Sequence, residues 1–408
     1  MTWKQVRFKD LGTWYGGGTP SKSNPAFWES GHVPWLSPKD MGAEVLVDTK
    51  DHVTEAAVVG SSTKLVPAGS VAVVTRSGIL ERTIPVALVP FATTMNQDMK
   101  AVVPREGIDA RWIAWGLRAF ERDLMRTTRK SGTTVASIEM PRWYEFELPV
   151  PPLEEQRRIV AILEDHLSRL DAGDDYARNV FRRARALVVS SLGESVRVAS
   201  EEALMSTLGA HADRVEYGTS AKCHEVREEG DVPVLRMGNI RENRIDWTRL
   251  KFLRGNHPDL DRLMVSRGDL VFNRTNSAEL VGKSAVVEDD RPASFASYLI
   301  RVRLAETVLP TWANMAINSP QGRAYVASCV SQQVGQANVN GTKLKAFPLP
   351  VPPMPRQHEL VARHSEIVDL SDRMKYEAEL VLARSAVLRR SLLAAAFSSR
   401  LGEVGSRV

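Results

Sequence analysis

Two short stretches carry side chains able to read the edges of base pairs. Thr75-Arg76-Ser77 is one; Asn273-Arg274-Thr275-Asn276-Ser277 is the other. Arginine or lysine suits guanine, asparagine or glutamine suits adenine, and serine or threonine serves either. Phosphates ask only for positive charge and free amides. Around the first stretch lie Lys22 and Lys39 upstream and Arg129, Lys130, Thr133 and Thr134 downstream. Around the second lie Lys222, Arg236, Lys283, Gln333 and Gln336. These are the positions whose residue types suit contact with a duplex. The competing role for each is a solvated loop residue or a hydroxyl or amide that stabilises a turn. Trp35, Trp112, Trp115 and Trp143 are assigned to the core rather than to base stacking.

Other apparent chemistry fails on spacing. Asn24-Pro25-Ala26-Phe27 approximates an amino-methyltransferase motif, but the second proline is missing and no glycine-rich donor loop precedes it. Gly282-Lys283-Ser284 looks like the end of a phosphate-binding loop, yet Ser277 stands where the first glycine belongs and the following Ala285-Val286-Val287 reads as a strand. The 8 histidines form no pair at metal-ligand spacing. No catalytic residue, metal site or cofactor of its own is expected. Lysine and arginine number 54 against 49 acidic residues, a net charge of +5 that suits nucleic acid without requiring it. With only Cys223 and Cys329 there is no disulfide framework, so a reducing cytoplasm is the default. No apolar leader or membrane span is read from the chain.

The elements that would position these residues occur twice. Leu148-Pro149-Val150-Pro151-Pro152 returns as Leu349-Pro350-Val351-Pro352-Pro353, and the correspondence runs gap-free in both directions. Ala136, Ile138, Arg142 and Phe146 stand opposite Ala337, Val339, Lys343 and Phe347; Gln156, Val160 and Ala161 stand opposite Gln357, Val361 and Ala362. Such a repeat marks duplication of a whole module. In the first copy, short apolar runs at Val33–Leu36, Ser70–Val74 and Lys100–Val103 predict strands, and the spacing of Ile113, Leu117, Phe120 and Leu124 predicts one helix from Ala110 to about Arg126. In the second, Leu208-Gly209, Val232–Leu235 and Ser266–Leu270 echo Leu11-Gly12, Val33–Leu36 and Pro67–Val71, each glycine expected at a turn where positive φ is needed.

Each repeated phrase opens a long helical stretch. The first is expected from Pro152, with Glu154 and Glu155 favourably placed in its first turn. Leu163, Leu167, Leu170, Asp174, Ala177, Phe181, Ala184, Val188 and Ser191 follow the 4,3 spacing of a coiled-coil seam. The second is expected from near Pro355, with a seam of Ile367, Leu370, Met374, Ala378, Val381, Ser385, Leu388, Leu392 and Ala395 and a stutter near Met374. Each would run about 40 residues, or roughly 60 Å. Antiparallel pairing of the two is expected; the alternative is that each helix packs on its own domain. Gly173, flanked by Asp171, Asp174 and Asp175, predicts a bend or short break. Arg178, Arg182, Arg183 and Arg185, with Arg384, Arg389 and Arg390, are assigned to solvated helix faces, the sharper alternative being phosphates or an acidic partner surface.

Two domains of this size, each closed by a Pro-Pro-x-x-x-Gln motif and a long helix, resemble the specificity subunit of type I restriction–modification systems. Tyr15-Gly16-Gly17-Gly18-Thr19-Pro20-Ser21, Trp35-Leu36-Ser37-Pro38-Lys39-Asp40, Pro233-Val234-Leu235-Arg236-Met237-Gly238-Asn239-Ile240, Gly268–Ser277 and the ending Leu392–Ser398 carry the resemblance over essentially the whole chain. Pro355-Arg356-Gln357 and Ser399 depart from it in small ways. The resemblance implies an α+β fold: two similar mixed α/β target recognition domains separated by two long conserved helices, packed as an antiparallel coiled coil in a pseudo-twofold design. Residues 1–147 and 197–348 would be the recognition domains, 148–196 and 349–408 the spacer helices and tail. It further implies a non-catalytic subunit reading a bipartite, asymmetric double-stranded DNA target. Two copies of a DNA adenine methyltransferase subunit, and through them a restriction motor-nuclease subunit, would be its partners and would hold S-adenosylmethionine, ATP and Mg. The competing classes are a self-sufficient methyltransferase or nuclease and a purely protein-binding helical adaptor.

Overall fold

A computed structural model describes residues 3–130, 135–277, 280–333 and 336–398, with the side chains of 331–333 and 336 outside the description. The chain divides into two compact units, residues 1–176 with 380–408 and residues 177–379. Each unit therefore holds one mixed domain and a part of both long helices.

In the first unit a four-stranded antiparallel sheet runs in the order Gly12–Gly16, Met99–Pro104, Ser70–Val74, Val86–Val89. Ser70–Val74 is buried throughout, with Val71–Val74 apolar, because as a central strand it is covered on both faces. Its alternation splits the core. Val71 and Val73 face Trp112 and Ile113, while Ala72 and Val74 face Leu36, Met95 and Val66 on the other side. A smaller sheet, Asp51–Val53, Val33–Leu36 and Thr94–Met95, lies on that second side. All four tryptophans assigned to the core are buried.

The second unit repeats the plan. Its sheet runs Ala212–Tyr217, Leu299–Leu304, Leu270–Asn273, Ser284–Val286, and the smaller one Lys251–Leu253, Val232–Leu235, Ser294–Phe295. Val71 pairs with Val102 as Leu270 pairs with Val302, so the two sheets share one register. Gly69 and Gly268 take φ of 79° and 89°, as turns into these strands demand. Gly12 and Gly209 serve a different end: a Cβ would come within 2.0 Å of the Val103 carbonyl oxygen and 2.8 Å of Lys345 Cβ, so they are sites of close approach. Among the described residues the second unit alone adds a hairpin, Ile240–Arg241 with Arg244–Ile245, whose Glu242-Asn243 turn leans on the second long helix through Arg244–Asp372 and Lys375–Glu242 pairs.

The helix expected over 110–126 is two helices, Ala110–Ala119 and Glu121–Thr128. Phe120 leaves the helical region at φ −95° and ψ 11°, and its ring packs 5.8 Å from Phe146 and 5.9 Å from Phe397. The second unit breaks likewise between Pro310–Asn318 and Pro320–Cys329.

Each mixed domain closes on itself before its long helix begins. Lys4–Arg7 pairs with Glu147–Val150, and Met205–Thr207 with Pro348–Pro350. The prolines that follow end these strands and open helices Leu153–Glu202 and Met354–Ala396. Gln156, fully buried, locks this junction. Its Oε1 accepts the Asp109 N–H at 2.9 Å, and its Nε2 donates to the carbonyls of Gly107 (2.9 Å) and Pro151 (2.8 Å). Gln357 does the same with Leu309 N–H and the carbonyls of Thr307 and Pro352. Above each latch an indole N–H, of Trp112 or Trp312, donates 2.9 Å to the carbonyl of Pro149 or Pro350.

The helices are unequal, 50 and 43 residues rather than about 40 each. Both expectations for their packing hold together. Their first turns sit on their own domains through Ile159 and Val160, and through Leu360. Beyond that they pair antiparallel inside each unit. In the first, Arg389 bonds Asp171 (2.5 Å) and Asp174 (3.1 Å). In the second, Ser191 meets His364 at 3.0 Å, the Ser371 hydroxyl donates to the Ala184 carbonyl at 3.3 Å, and Arg356 grips Glu202. Burial lowers the His364 pKa, helped by Arg244, so the imidazole is neutral in this seam.

The seam itself needs correction. Small or polar side chains at seven-residue steps are buried: Ala177, Ala184 and Ser191 on one helix, His364, Ser371, Ala378 and Ser385 on the other. This repeat runs without the expected stutter. Leu163 and Leu167 are buried in the first unit's core and Leu170 and Leu392 pack against it, whereas Phe181, Val188, Ile367 and Met374 are half-buried. Leu370, Val381 and Leu388, expected in the seam, are 44%, 45% and 51% exposed. Small seam residues let the backbones approach closely, which pushes bulkier neighbours to the flank. Nor does Gly173 break the helix, which runs through it unbroken. Among the described residues no helix is long and apolar enough to cross a membrane.

Two measurements test these points. Gln156→Leu leaves a buried N–H and two carbonyls without partners and should cost about 2–4 kcal/mol in urea unfolding; a loss under about 1 kcal/mol would sink the latch role. Gly173→Ala, where a Cβ meets open space, should raise stability by about 1 kcal/mol; a loss would show that the glycine is needed.

Candidate nucleic-acid interface

Beyond the central strand of the first unit the chain turns a corner at Thr75-Arg76-Ser77. The Thr75 N–H and hydroxyl both donate to the Asp98 carbonyl, at 2.8 and 3.0 Å. Ile138 N–H donates to the Thr75 carbonyl (2.9 Å) and Ser77 N–H to the Ala136 carbonyl (3.0 Å). Arg76 thereby bridges Ser137, whose strand Ser137–Ile138 pairs with Arg129–Lys130. Arg76 and Lys130 thus stand exposed at one corner. Ser77 accepts from Ile79 N–H and caps the short helix Gly78–Glu81. Arg129 pairs with Glu81 at 3.2 Å. Thr133 and Thr134 lie outside the described residues.

Lys22 is exposed on the loop after Tyr15–Ser21. Lys39, on the short helix Pro38–Asp40, is held by Asp51 at 2.5 Å, and that hydrogen bond raises its pKa. A phosphate would have to displace this carboxylate.

The second unit builds the same corner with other residues. Val339 N–H donates to the Arg274 carbonyl at 2.9 Å, and Thr275–Asn276 pairs with Gln336–Asn338, which pairs with Ser331–Gln333. The side chains of Gln333 and Gln336 are outside the description. The Arg274 guanidinium lies 4.9 Å over the Tyr217 ring and donates to Asn338 Oδ1 at 3.3 Å. Asn276 accepts from Ser277 N–H, and Ser277 is exposed. Lys222 is exposed after Thr219. Arg236 donates to the Arg249 carbonyl at 3.3 Å. Half-buried Lys283 shares a shallow concavity with Arg241, Arg244 and Asp246.

Base contact does not fit Thr75, Asn273 or Thr275, which are 7%, 0% and 8% exposed. Asn273 instead staples the turn behind it: its amide donates to the Leu280 carbonyl (3.2 Å), its N–H to Lys283 O, and its carbonyl accepts Gly282 N–H. Strand-end burial was invisible in the local phrase. Conversely, Tyr217 and Tyr298, 42% and 46% exposed beside Arg274, lie outside the phrases that mark the candidate contacts. The parallel between Tyr217-Gly218-Thr219 and the Tyr15–Thr19 phrase could have found the first of them.

The set-aside motifs have structural uses. Asn24 caps the short helix Pro25–Phe27. Gly282 takes φ 82° ahead of strand Ser284–Val286.

Residues 1–173 match the type I restriction modification DNA specificity domain. Over 164 residues the chain is 48% identical to the type I restriction enzyme EcoR124I/EcoR124II specificity subunit of Escherichia coli, covering 40% of each. It is 27% identical over 286 residues to the EcoKI specificity subunit of Escherichia coli K12, covering 66% of this chain and 61% of that one. The chain thus spans less than two thirds of the length of these relatives. In fold it is similar to a chain solved in work on complex assembly and conformational transition of a type I R-M system, at TM-score 0.79 and 16% identity over 98% of both. It is also similar to the HsdS subunit from Thermoanaerobacter tengcongensis, at TM-score 0.59 and 17% identity over 98% and 97%.

The division between corner and wall is testable without any ligand. Asn273→Ala should lower unfolding stability by about 1–3 kcal/mol, while Arg76→Ala should change it by less than about 0.5 kcal/mol. Equal effects would mean that the corner is not a free surface.

Proposed function

We propose, from the match of residues 1–173 to the type I restriction modification DNA specificity domain, that this chain is the non-catalytic DNA-specificity subunit of such a complex. One observation carries the reading. Two units of one register present two corners of unlike composition, Arg76 and Lys130 in one, Arg274, Asn276 and Ser277 in the other. Like frames with unlike reading residues fit a bipartite, asymmetric double-stranded target. Arg76, Lys130, Lys22 and Lys39 would serve one half; Asn276, Ser277, Lys222, Arg236 and Lys283 the other, with Arg274 positioned by Tyr217.

The long helices would set the gap between the halves and dock two copies of a DNA adenine methyltransferase subunit, which would bring the restriction motor-nuclease subunit. The exposed apolar side chains Leu370, Val381 and Leu388 support a protein partner on these helices. S-adenosylmethionine, ATP and Mg would be bound by the partners in the cytoplasm, and this chain would need none of them.

Methylome sequencing after co-expression with the methyltransferase should reveal a two-part motif that is absent without this chain. Turnover by the chain alone with methyl donor would point to an enzyme instead. Inserting seven residues into both helices adds about 10 Å, so the gap should widen by about 3 base pairs while both halves stay the same. Altered half-sequences would rule out the helices as the spacer.

A further inference from the structure

The first long helix carries charge of one sign along a stretch that the proposed reading leaves unused. From Ala177 to Gly193 it holds Arg178, Arg182, Arg183 and Arg185 and no acidic residue. Arg178, Arg182 and Arg185 are spaced four and three apart, so they share one helix face, and all three are exposed. Stepping on at the same spacing, that face continues through Val189 to Leu192, Val196 and Ala199. The last three are buried in the core of the second unit's mixed domain, while Val189 is 45% exposed. One face therefore turns from cationic to apolar where the mixed domain begins to cover it.

The other long helix lies to the side of this face, on the stripe of Ala177, Ala184 and Ser191. The arginines thus project from the same flank that the domain covers further along the helix, from Leu192 onward. Among the described residues no carboxylate forms an ion pair with Arg182 or Arg185, and the Arg182 guanidinium donates to the neutral Asn179 side chain. Elsewhere on the same helix the pattern is different: Arg197, on another face, is engaged by Glu194 and Glu201.

We propose that Arg178, Arg182 and Arg185 form a sequence-blind phosphate-binding face that holds duplex DNA running past the edge of the second mixed domain. The inference rests on the DNA-specificity reading above. Cations at successive helical turns suit a regular row of phosphates and carry no base preference. The face lies on the helix, so it would add affinity over the stretch of duplex that no base-reading corner addresses.

Salt dependence tests it. The full chain is titrated with a labelled duplex of arbitrary sequence, about 40 base pairs long, across a series of KCl concentrations. Each lost phosphate contact reduces the slope of log affinity against log salt by about 0.9, so Arg182→Gln with Arg185→Gln should flatten it by about 1.8. Arg182→Lys with Arg185→Lys should keep the wild-type slope, and so should Arg197→Gln, on the other face. Circular dichroism should show full helicity in every variant. If the double glutamine variant binds with the wild-type slope, the face is not a phosphate site and the DNA reading survives. That outcome would return the arginines to solvent or to a protein partner. If the unaltered chain binds no duplex at any salt, both readings fall.

Discussion

A buried glutamine amide fixes where each long helix leaves its domain. Gln156 and Gln357 saturate their amides with three bonds each, to an N–H and a carbonyl of the domain and a carbonyl of the proline pair. Inside a protein such an amide is costly unless every bond is made. Helix direction, the turn before Ala110–Ala119 or Pro310–Asn318, and the closing strand are therefore set together. The indoles of Trp112 and Trp312 clamp the same strand from above. The glutamine in the repeated phrase, which could pass for a functional residue, is explained by this joint.

From that joint outward the two units diverge in side chains but not in frame. Val271 pairs with Arg301 where Ala72 pairs with Ala101, so a fully buried arginine takes an alanine's place. Arg301 is tolerated because Glu216 and the Met264 and Arg262 carbonyls receive it, with Asp269 3.7 Å away. The corners vary in the same way upon one backbone: Arg76 and Thr275 hold the same register position, one exposed and one buried.

Much of the frame was legible in the residues. Ser70–Val74 and Val33–Leu36 are strands with the bounds their apolar runs suggest, and the tryptophans are core. What escaped depends on distant partners. The helix ends at Phe120 because Phe146 and Phe397 draw its ring, and Phe397 lies far along the chain. The seam was misjudged because large apolar residues advertise themselves, whereas Ala184 and Ser371 are buried by backbone proximity that periodicity does not report. At the candidate interface, residue type pointed to Arg76 and Lys130, which are exposed, but could not tell that Asn273 turns inward, since that depends on the Gly282 turn folding back over it.

The small-residue seam has a further consequence. A stripe repeating every seven residues is self-similar, so sliding one helix by two turns would again set small against small at little steric cost. Hydrophobic packing alone would then leave the alignment degenerate. The choice falls to polar contacts that a slip cannot reproduce: the neutral imidazole of His364 against Ser191, Arg356 on Glu202, and Arg389 between Asp171 and Asp174. In these helices apolar area supplies cohesion, and a few hydrogen-bonded groups select one alignment among several that grease alone would accept.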